Sequence, residues 1–457
     1  MGFWPTWFRL PLSSTSRHIL LGVVIGLSLS LSSTSLIFYS QKRKKDRLEK
    51  SFDQRPIELR SDEIVNGVTG LIGNTPLVRI NSLSDALGVE ILGKAEFLNP
   101  GGSVKDRVAL RIVEDAERLG LLHPHTGSRI FEGTVGSTGI SIATIAKARG
   151  YDATIIMPDD VAEEKVKALR SLGAEVEQVR PASIVDKKQF VNLARDRAAH
   201  FGHTANPRDS LIRSSSSVLV TTTASEAVLH EHGTLTKEEA DELENKPRGF
   251  FADQFENRSN YQAHFEGTGP EIWRQTSGRV DAFVSGAGTG GTLSGTGQYL
   301  KSVNEDLMII LSDPEGSGLY NKVKYGVMYD RKEAEGTKRR HQVDTVVEGI
   351  GINRLTHNME LGLDIIDDAF RITDAEAVAM SRYLVENDGL FLGSSSACNL
   401  VACIKFIKSV GWNDGQRVVT ILCDSGTRHY SKFWNDEYLQ RANIPVDKQI
   451  IYDLLSQ

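Results

Sequence analysis

The stretch Asn99-Pro100-Gly101-Gly102-Ser103-Val104-Lys105-Asp106-Arg107 puts a lysine in an unfavourable place. A strand-like run, Val89 to Phe97, precedes it and a helix-like pattern comes after, so Lys105 falls in a helix's first turn. The positive end of the helix dipole disfavours an ammonium there. The same field lowers the amine's proton affinity, and a neutral amine is what imine chemistry needs. The plain alternative is a solvated helix-start lysine, and position alone favours it.

Three later loops change that balance. Glu132-Gly133-Thr134-Val135-Gly136-Ser137-Thr138-Gly139 leaves a strand and enters an apolar helix. Backbone N–H groups at such a start, flanked by hydroxyls, suit a carboxylate or a phosphate; an ordinary hydroxyl-capped turn would read the same way. Ser285-Gly286-Ala287-Gly288-Thr289-Gly290-Gly291-Thr292-Leu293-Ser294-Gly295 is dense enough in glycine to form a phosphate cradle. Gly286 to Gly291 also reads G-x-G-x-x-G, with Asp313 further on, which imitates a dinucleotide fingerprint. That reading leaves Lys105 without a purpose, and no G-K-[ST] supports a P-loop. Leu422-Cys423-Asp424-Ser425-Gly426-Thr427-Arg428 adds a polar strand end. A helix-start lysine, a carboxylate-sized loop, a phosphate cradle and a polar strand end together match the needs of pyridoxal 5'-phosphate.

The elements that must carry these loops alternate. Strand candidates are Ile91 to Phe97, Ile130 to Glu132, Ala153 to Met157, Val176 to Val179, Ala282 to Ser285, Met308 to Ser312 and Val418 to Leu422. In the helix expected from Ser103 to Leu119, the residues Val104, Val108, Ile112, Val113, Ala116 and Leu119 share one face. Such alternation implies an α/β protein whose mostly parallel sheet is covered by helices on both sides. Ligands bind at the carboxyl ends of strands in such folds, where every loop above lies.

A net charge of -6 and a pI near 6.0 give no support for nucleic-acid binding. Cys398, Cys403 and Cys423 form no C-x-x-C pair, so a reducing compartment and no structural metal are expected. The first 45 residues lack Asp and Glu, and Ile19 to Ser40 carries no charge. We read residues 1–17 as a flank, 18–40 as an N-terminal transmembrane helix and 41–60 as a charged linker. The basic cluster after the apolar run should hold the body on the cytosolic side. A cleaved secretory signal or a matrix presequence is the alternative. The catalytic body is expected over 61–445, with a smaller mobile subdomain at about 106–205 and a surface insertion at 206–247. Residues 446–457 are read as a C-terminal tail.

The motifs GNTPLVRI (Gly73 to Ile80), NPGGSVKDR (Asn99 to Arg107), GAGTGGT (Gly286 to Thr292), VEGIG (Val347 to Gly351) and DSG (Asp424 to Gly426) resemble the cysteine synthase/cystathionine β-synthase family. The resemblance spans about Ile64 to Ala442, and TGPEIW (Thr268 to Trp273) with the anchor-like N-terminus resembles its fungal membrane-anchored branch. It implies a fold-type II pyridoxal-phosphate enzyme (tryptophan synthase β-like) of two α/β subdomains, acting as a homodimer on small molecules. Lys105 resembles the cofactor-binding lysine, and Gly288, Thr289, Gly290, Gly291 and Thr292 the phosphate loop. Thr134, Gly136, Ser137 and Thr138 resemble the loop that grips the substrate carboxylate, and Ser425 the serine facing the pyridine nitrogen. Where the family usually has asparagine touching the cofactor's 3' oxygen, this chain has Ser137; Cys423 replaces a common proline.

The resemblance implies β-replacement: O-acetyl-L-serine plus sulfide giving L-cysteine and acetate, with Lys105 moving the Cα proton. With the acid-free N-terminus, the expected location is the mitochondrion, at the outer membrane, with matrix import as the alternative. Rival readings are cystathionine β-synthase chemistry on serine and homocysteine, a serine or threonine dehydratase, and an inactive membrane-tethered scaffold. Neither a haem-binding N-terminal region nor a C-terminal regulatory pair of domains is visible, and the dehydratase lysine motif reads differently from GGSVKDR.

Overall fold

The computed structural model describes residues 64–182, 186–201, 246–329 and 345–456, together with the helical residues Gly26, Ser35 and Tyr39. The expected anchor at 18–40, apart from those three residues, and the expected insertion at 206–247, apart from residues 246 and 247, lie outside the described residues. Among the described residues no helix is long and apolar enough to cross a membrane. Ile57–Gln457 forms one compact unit.

In chain order the main elements of this unit are β1 (Leu77–Arg79), β2 (Glu90–Ala95), α1 (Lys105–Arg118), β3 (Arg129–Gly133), α2 (Ser137–Ala148), β4 (Asp152–Pro158), α3 (Glu163–Ser171), β5 (Glu175–Val179) and α4 (Phe190–His200). After them come β6 (Gly249–Phe251), α5 (Gly269–Gln275), β7 (Ala282–Gly286), α6 (Gly291–Val303), β8 (Met308–Pro314), β9 (Asp368–Ile372), α7 (Asp374–Asp388), α8 (Ser394–Val410) and β10 (Arg417–Leu422).

The strands form two sheets. One has six strands in the order β1-β2-β10-β7-β8-β9; the other has four, β5-β4-β3-β6. Every pairing is parallel except β1 with β2. Every residue of β7 is buried, as a parallel strand covered on both faces requires. Alternate residues of β10 face opposite cores: Val418 and Leu422 join α7 and α8, while Val419 and Ile421 join Leu293 and Leu300 of α6.

The smaller sheet is sandwiched the same way. Ile130, Ile155 and Met157 pack with Val108 and Ile112 of α1 and Ile140 of α2, while Phe131 and Ile156 pack with α4. Burying a side chain such as Ile112 contributes roughly 2 kcal/mol, which fixes the helix bearing Lys105. The expected apolar face of α1 holds for Val108, Ile112, Val113 and Ala116, but Leu119 is 48% exposed. The helix ends at Arg118, so Leu119 is its cap and turns away from the core.

Three strands are not visible in the sequence pattern. β1 is a short edge inside GNTPLVRI, β6 has only three residues, and β9 is an edge strand broken by Asp368 and Arg371. Edge strands bury one face and often carry charge, which removes the apolar run that marks a central strand.

Candidate active site

Strands β2, β10 and β7 are neighbours in the larger sheet, and each ends in one of the loops rich in glycine and hydroxyls. Neighbouring strands lie about 4.8 Å apart, so the fold brings Lys105, Ser425 and the Gly288–Thr292 loop side by side. The Val104 N–H donates to the Cys423 carbonyl at 3.1 Å, and Ser103 bridges Asp424, which ties the lysine loop to the end of β10. The Ser425 hydroxyl accepts from the Thr427 N–H at 3.3 Å.

Lys105 is the first residue of α1 and half-buried. Among the described residues its amine has no ion-pair or hydrogen-bond partner. Burial pushes its proton affinity down, against a weaker opposite effect of Cys423. His264 is held well below the usual histidine range by burial, then by Lys105 and Arg107, and stays neutral. An amine at a helix start whose proton affinity is lowered by burial has the properties that nucleophilic or proton-transfer chemistry requires.

The cradle is built from tight backbone. Gly290 has φ +86°, and a Cβ there would lie 2.6 Å from Met359 Cα. A Cβ on Gly288 would run into the Gly349 carbonyl oxygen, and one on Gly291 into Asn260 Oδ1. Helix α6 starts at Gly291 with no capping side chain, and α2 starts at Ser137 behind Gly136, also uncapped. Two uncapped starts offer unpaired N–H groups to anions. The buried amine, the glycine cradle and the second anion loop fit a phosphorylated aldehyde and the carboxylate of an amino acid.

The Thr134–Thr138 loop belongs to the smaller sheet, at the end of β3. Thr134 and Thr138 are buried, and Ser137 is half-buried at the helix start. The Gly136 N–H donates to Thr134 Oγ1 at 3.2 Å. This loop is wired to the cradle by residues that no sequence motif marks. Thr138 Oγ1 donates to Gln254 Oε1 at 2.5 Å; Asn260 Nδ2 donates to the Gln254 carbonyl and to Thr289 Oγ1, both at 2.8 Å. His264 Nε2 lies 3.1 Å from Thr292 Oγ1. Gln254 comes just after Gly249–Phe251, a strand too short to mark its end in the sequence. Asp106 joins the two sides, accepting from the Gly101 N–H and from the Ser141 hydroxyl of α2.

Arg107, two residues after Lys105, anchors the lysine helix. Its guanidinium binds Glu96 and Glu271 at 2.7 Å each, and Lys94 binds Glu271 at 2.7 Å, all buried. Burial alone would raise the Glu271 carboxyl, but Arg107 and Lys94 hold it well below the usual range. Two acids and two bases leave the cluster neutral. Burial pushes the Cys423 thiol up to about 11, so it is not a thiolate at neutral pH. Asp313, the partner in a dinucleotide reading, accepts instead from the Tyr320 N–H at 2.7 Å.

The family model described as "Pyridoxal-phosphate dependent enzyme" matches residues 68–238 and 218–424. "Cysteine synthase 2" of Schizosaccharomyces pombe is 52% identical over 384 residues, covering 84% of this chain and 87% of that protein. The "Putative mitochondrial cysteine synthase" of Saccharomyces cerevisiae is 48% identical over 81% of this chain and 84% of its own length. Rat "Cystathionine beta-synthase" is more distant, at 34% over 84% of this chain and 58% of that protein. The crystal structure of O-ureido-L-serine synthase superposes with a TM-score of 0.59 at 28% identity, covering 82% of this chain and 96% of that one.

Proposed function

The chain belongs to the pyridoxal-phosphate-dependent enzymes of the cysteine synthase/cystathionine β-synthase family, and from that premise we propose that it makes L-cysteine from O-acetyl-L-serine and sulfide, releasing acetate. The observation that carries this is the half-buried Lys105 amine, which has no counter-ion among the described residues and shares the sheet's loop row with an uncapped glycine cradle. Pyridoxal phosphate, when bound, supplies an electron sink for the amino acid's Cα.

The chain's own residues do the rest. Lys105 would hold the cofactor through its aldehyde, and its amine would be the base that takes the substrate's Cα proton and returns it once sulfide stands in place of acetate at Cβ. The N–H groups of Gly288, Thr289, Gly290, Gly291 and Thr292 bind the phosphate. Thr134, Gly136, Ser137 and Thr138 hold the substrate carboxylate and keep water from the reacting carbon. The Ser425 hydroxyl would be the partner of the ring nitrogen, a weaker acid–base partner than a carboxylate.

The purified body should form cysteine from O-acetylserine plus sulfide, and Lys105→Ala should abolish turnover. Product only from serine plus homocysteine would instead favour the reading suggested by the rat relative. No product from either pair, with cofactor bound, would favour an inactive scaffold.

For location, the acid-free leader and the mitochondrial wording of the yeast relative support a mitochondrial protein. We place it at the outer membrane, tethered through residues 18–40 with the body facing the cytosol, as a homodimer. Protease added to intact mitochondria should digest the body; a protected body would mean matrix import.

A further inference from the structure

Lys165, on α3, has a side chain only 2% exposed, and its ammonium contacts the Glu348 carboxylate. Glu348 also lies 3.5 Å from Lys432 Nζ and 3.9 Å from His429 Nδ1. His429 Nε2 lies 3.0 Å from Asp424 Oδ2, and Asp424 directly precedes Ser425. Lys165, His429 and Asp424 are buried while Lys432 is 25% exposed, and no step of the proposed reaction uses the cluster.

Its place in the fold is specific. Gly136, in the carboxylate loop, has φ +130°, and a Cβ there would lie 2.6 Å from Lys165 Cδ. The aliphatic stem of Lys165 is therefore the floor under that loop. At the other end, the Glu348 N–H donates to Ser394 Oγ at 3.0 Å, and the carbonyl of the next residue, Gly349, closes against Gly288 of the cradle. A single lysine thus reaches from beneath the carboxylate loop to the segment that walls the phosphate loop.

We propose that Lys165 is a positioning residue for amino-acid binding: its stem sets the height of the Gly136–Thr138 loop, and its bond to Glu348 fixes that height relative to the cradle. The inference rests on the reading of Thr134–Thr138 as the carboxylate loop. A misplacement of about 1 Å in such a loop weakens binding of the group it holds without removing the group that reacts.

The test compares Lys165→Met, which keeps the stem and loses the bond, with Lys165→Arg, Glu348→Gln, the double variant Lys165→Met/Glu348→Gln and the control Lys167→Met. Lys167 is exposed on the same helix and paired with Glu163. Two quantities are read on the cofactor-loaded full chain: the change in cofactor absorption on adding O-acetylserine, and the steady-state split between KM and kcat. In Lys165→Met the half-saturating O-acetylserine concentration should rise between about tenfold and about a hundredfold. Cofactor content, the KM for sulfide and kcat should stay within about twofold. Lys165→Arg should recover most of the loss, and Lys167→Met should match the native protein. Glu348→Gln should behave like Lys165→Met, and the double variant should be no worse than the worse single.

Unchanged half-saturation in Lys165→Met and Glu348→Gln overturns the proposal. So does a loss of kcat and cofactor content in step with a lowered melting temperature, which would mark a merely structural pair. If the native protein itself shows no absorption change with O-acetylserine or serine, the functional reading has failed and this inference falls with it.

Discussion

Burial lowers the proton affinity of Lys105 and raises that of Asp106, its neighbour, so both are drawn toward their neutral forms. Asp106 is pushed up to about 6 by burial, against the Ser141 and Gly101 hydrogen bonds and Arg428. A carboxyl whose folded pKa is raised stabilises the fold fully below its unfolded value and loses that contribution as pH rises through the folded value. Here the window runs from about pH 4 to about pH 6. Asp106→Asn removes the titration, so its melting temperature should improve relative to the native protein as pH goes from 4 to 7. The effect should be at most a few kcal/mol. A pH-independent difference between the two melting curves would contradict the burial argument. Lys105 is legible in sequence because a motif of glycines and a helix start announce it. Gln254 and Asn260 are not, since amide side chains carry no such punctuation. The Lys165–Glu348 contact joins residues 183 apart and leaves no trace in local pattern.

Among elements, the loops gain their meaning from which strands end beside each other. Alternation along the chain reveals the parallel sheet and most central strands, because buried parallel strands are continuous apolar runs. It does not reveal the order β2-β10-β7, which sets Lys105, Ser425 and the Gly288–Thr292 loop in one row. The glycines separate two costs that sequence alone merges. Gly290 has φ +86° and backbone within 2.6 Å of a new Cβ; Gly389, which ends α7, has φ +67° and open space. Gly389→Ala should cost about 1–2 kcal/mol of backbone strain and leave cofactor content intact. Gly290→Ala should cost more and should lower the ratio of cofactor to protein absorbance after purification. Equal stability losses and full cofactor content in both variants would show that the cradle is not sterically set.

Across the whole molecule, the proposed reaction depends on joining two sheets that share no strand. Asp106 to Gly101, Gln254 to Thr138 with Asn260 to Thr289, and Lys165 to Glu348 are three such joins. The buried cluster of Glu96, Arg107, Glu271 and Lys94 fixes the helix that carries Lys105 onto the larger sheet's side. Breaking such a cluster by removing one partner costs about 3–5 kcal/mol, so the lysine's position is held by more than its own helix. The proposed reaction turns on one bond, between the Lys105 amine and the cofactor. Borohydride reduction of the loaded protein, with peptide mapping afterwards, tests it most directly. The account predicts a pyridoxyl tag on Lys105 and no tag in Lys105→Ala; a tag on another lysine, or none on fully loaded protein, would contradict it.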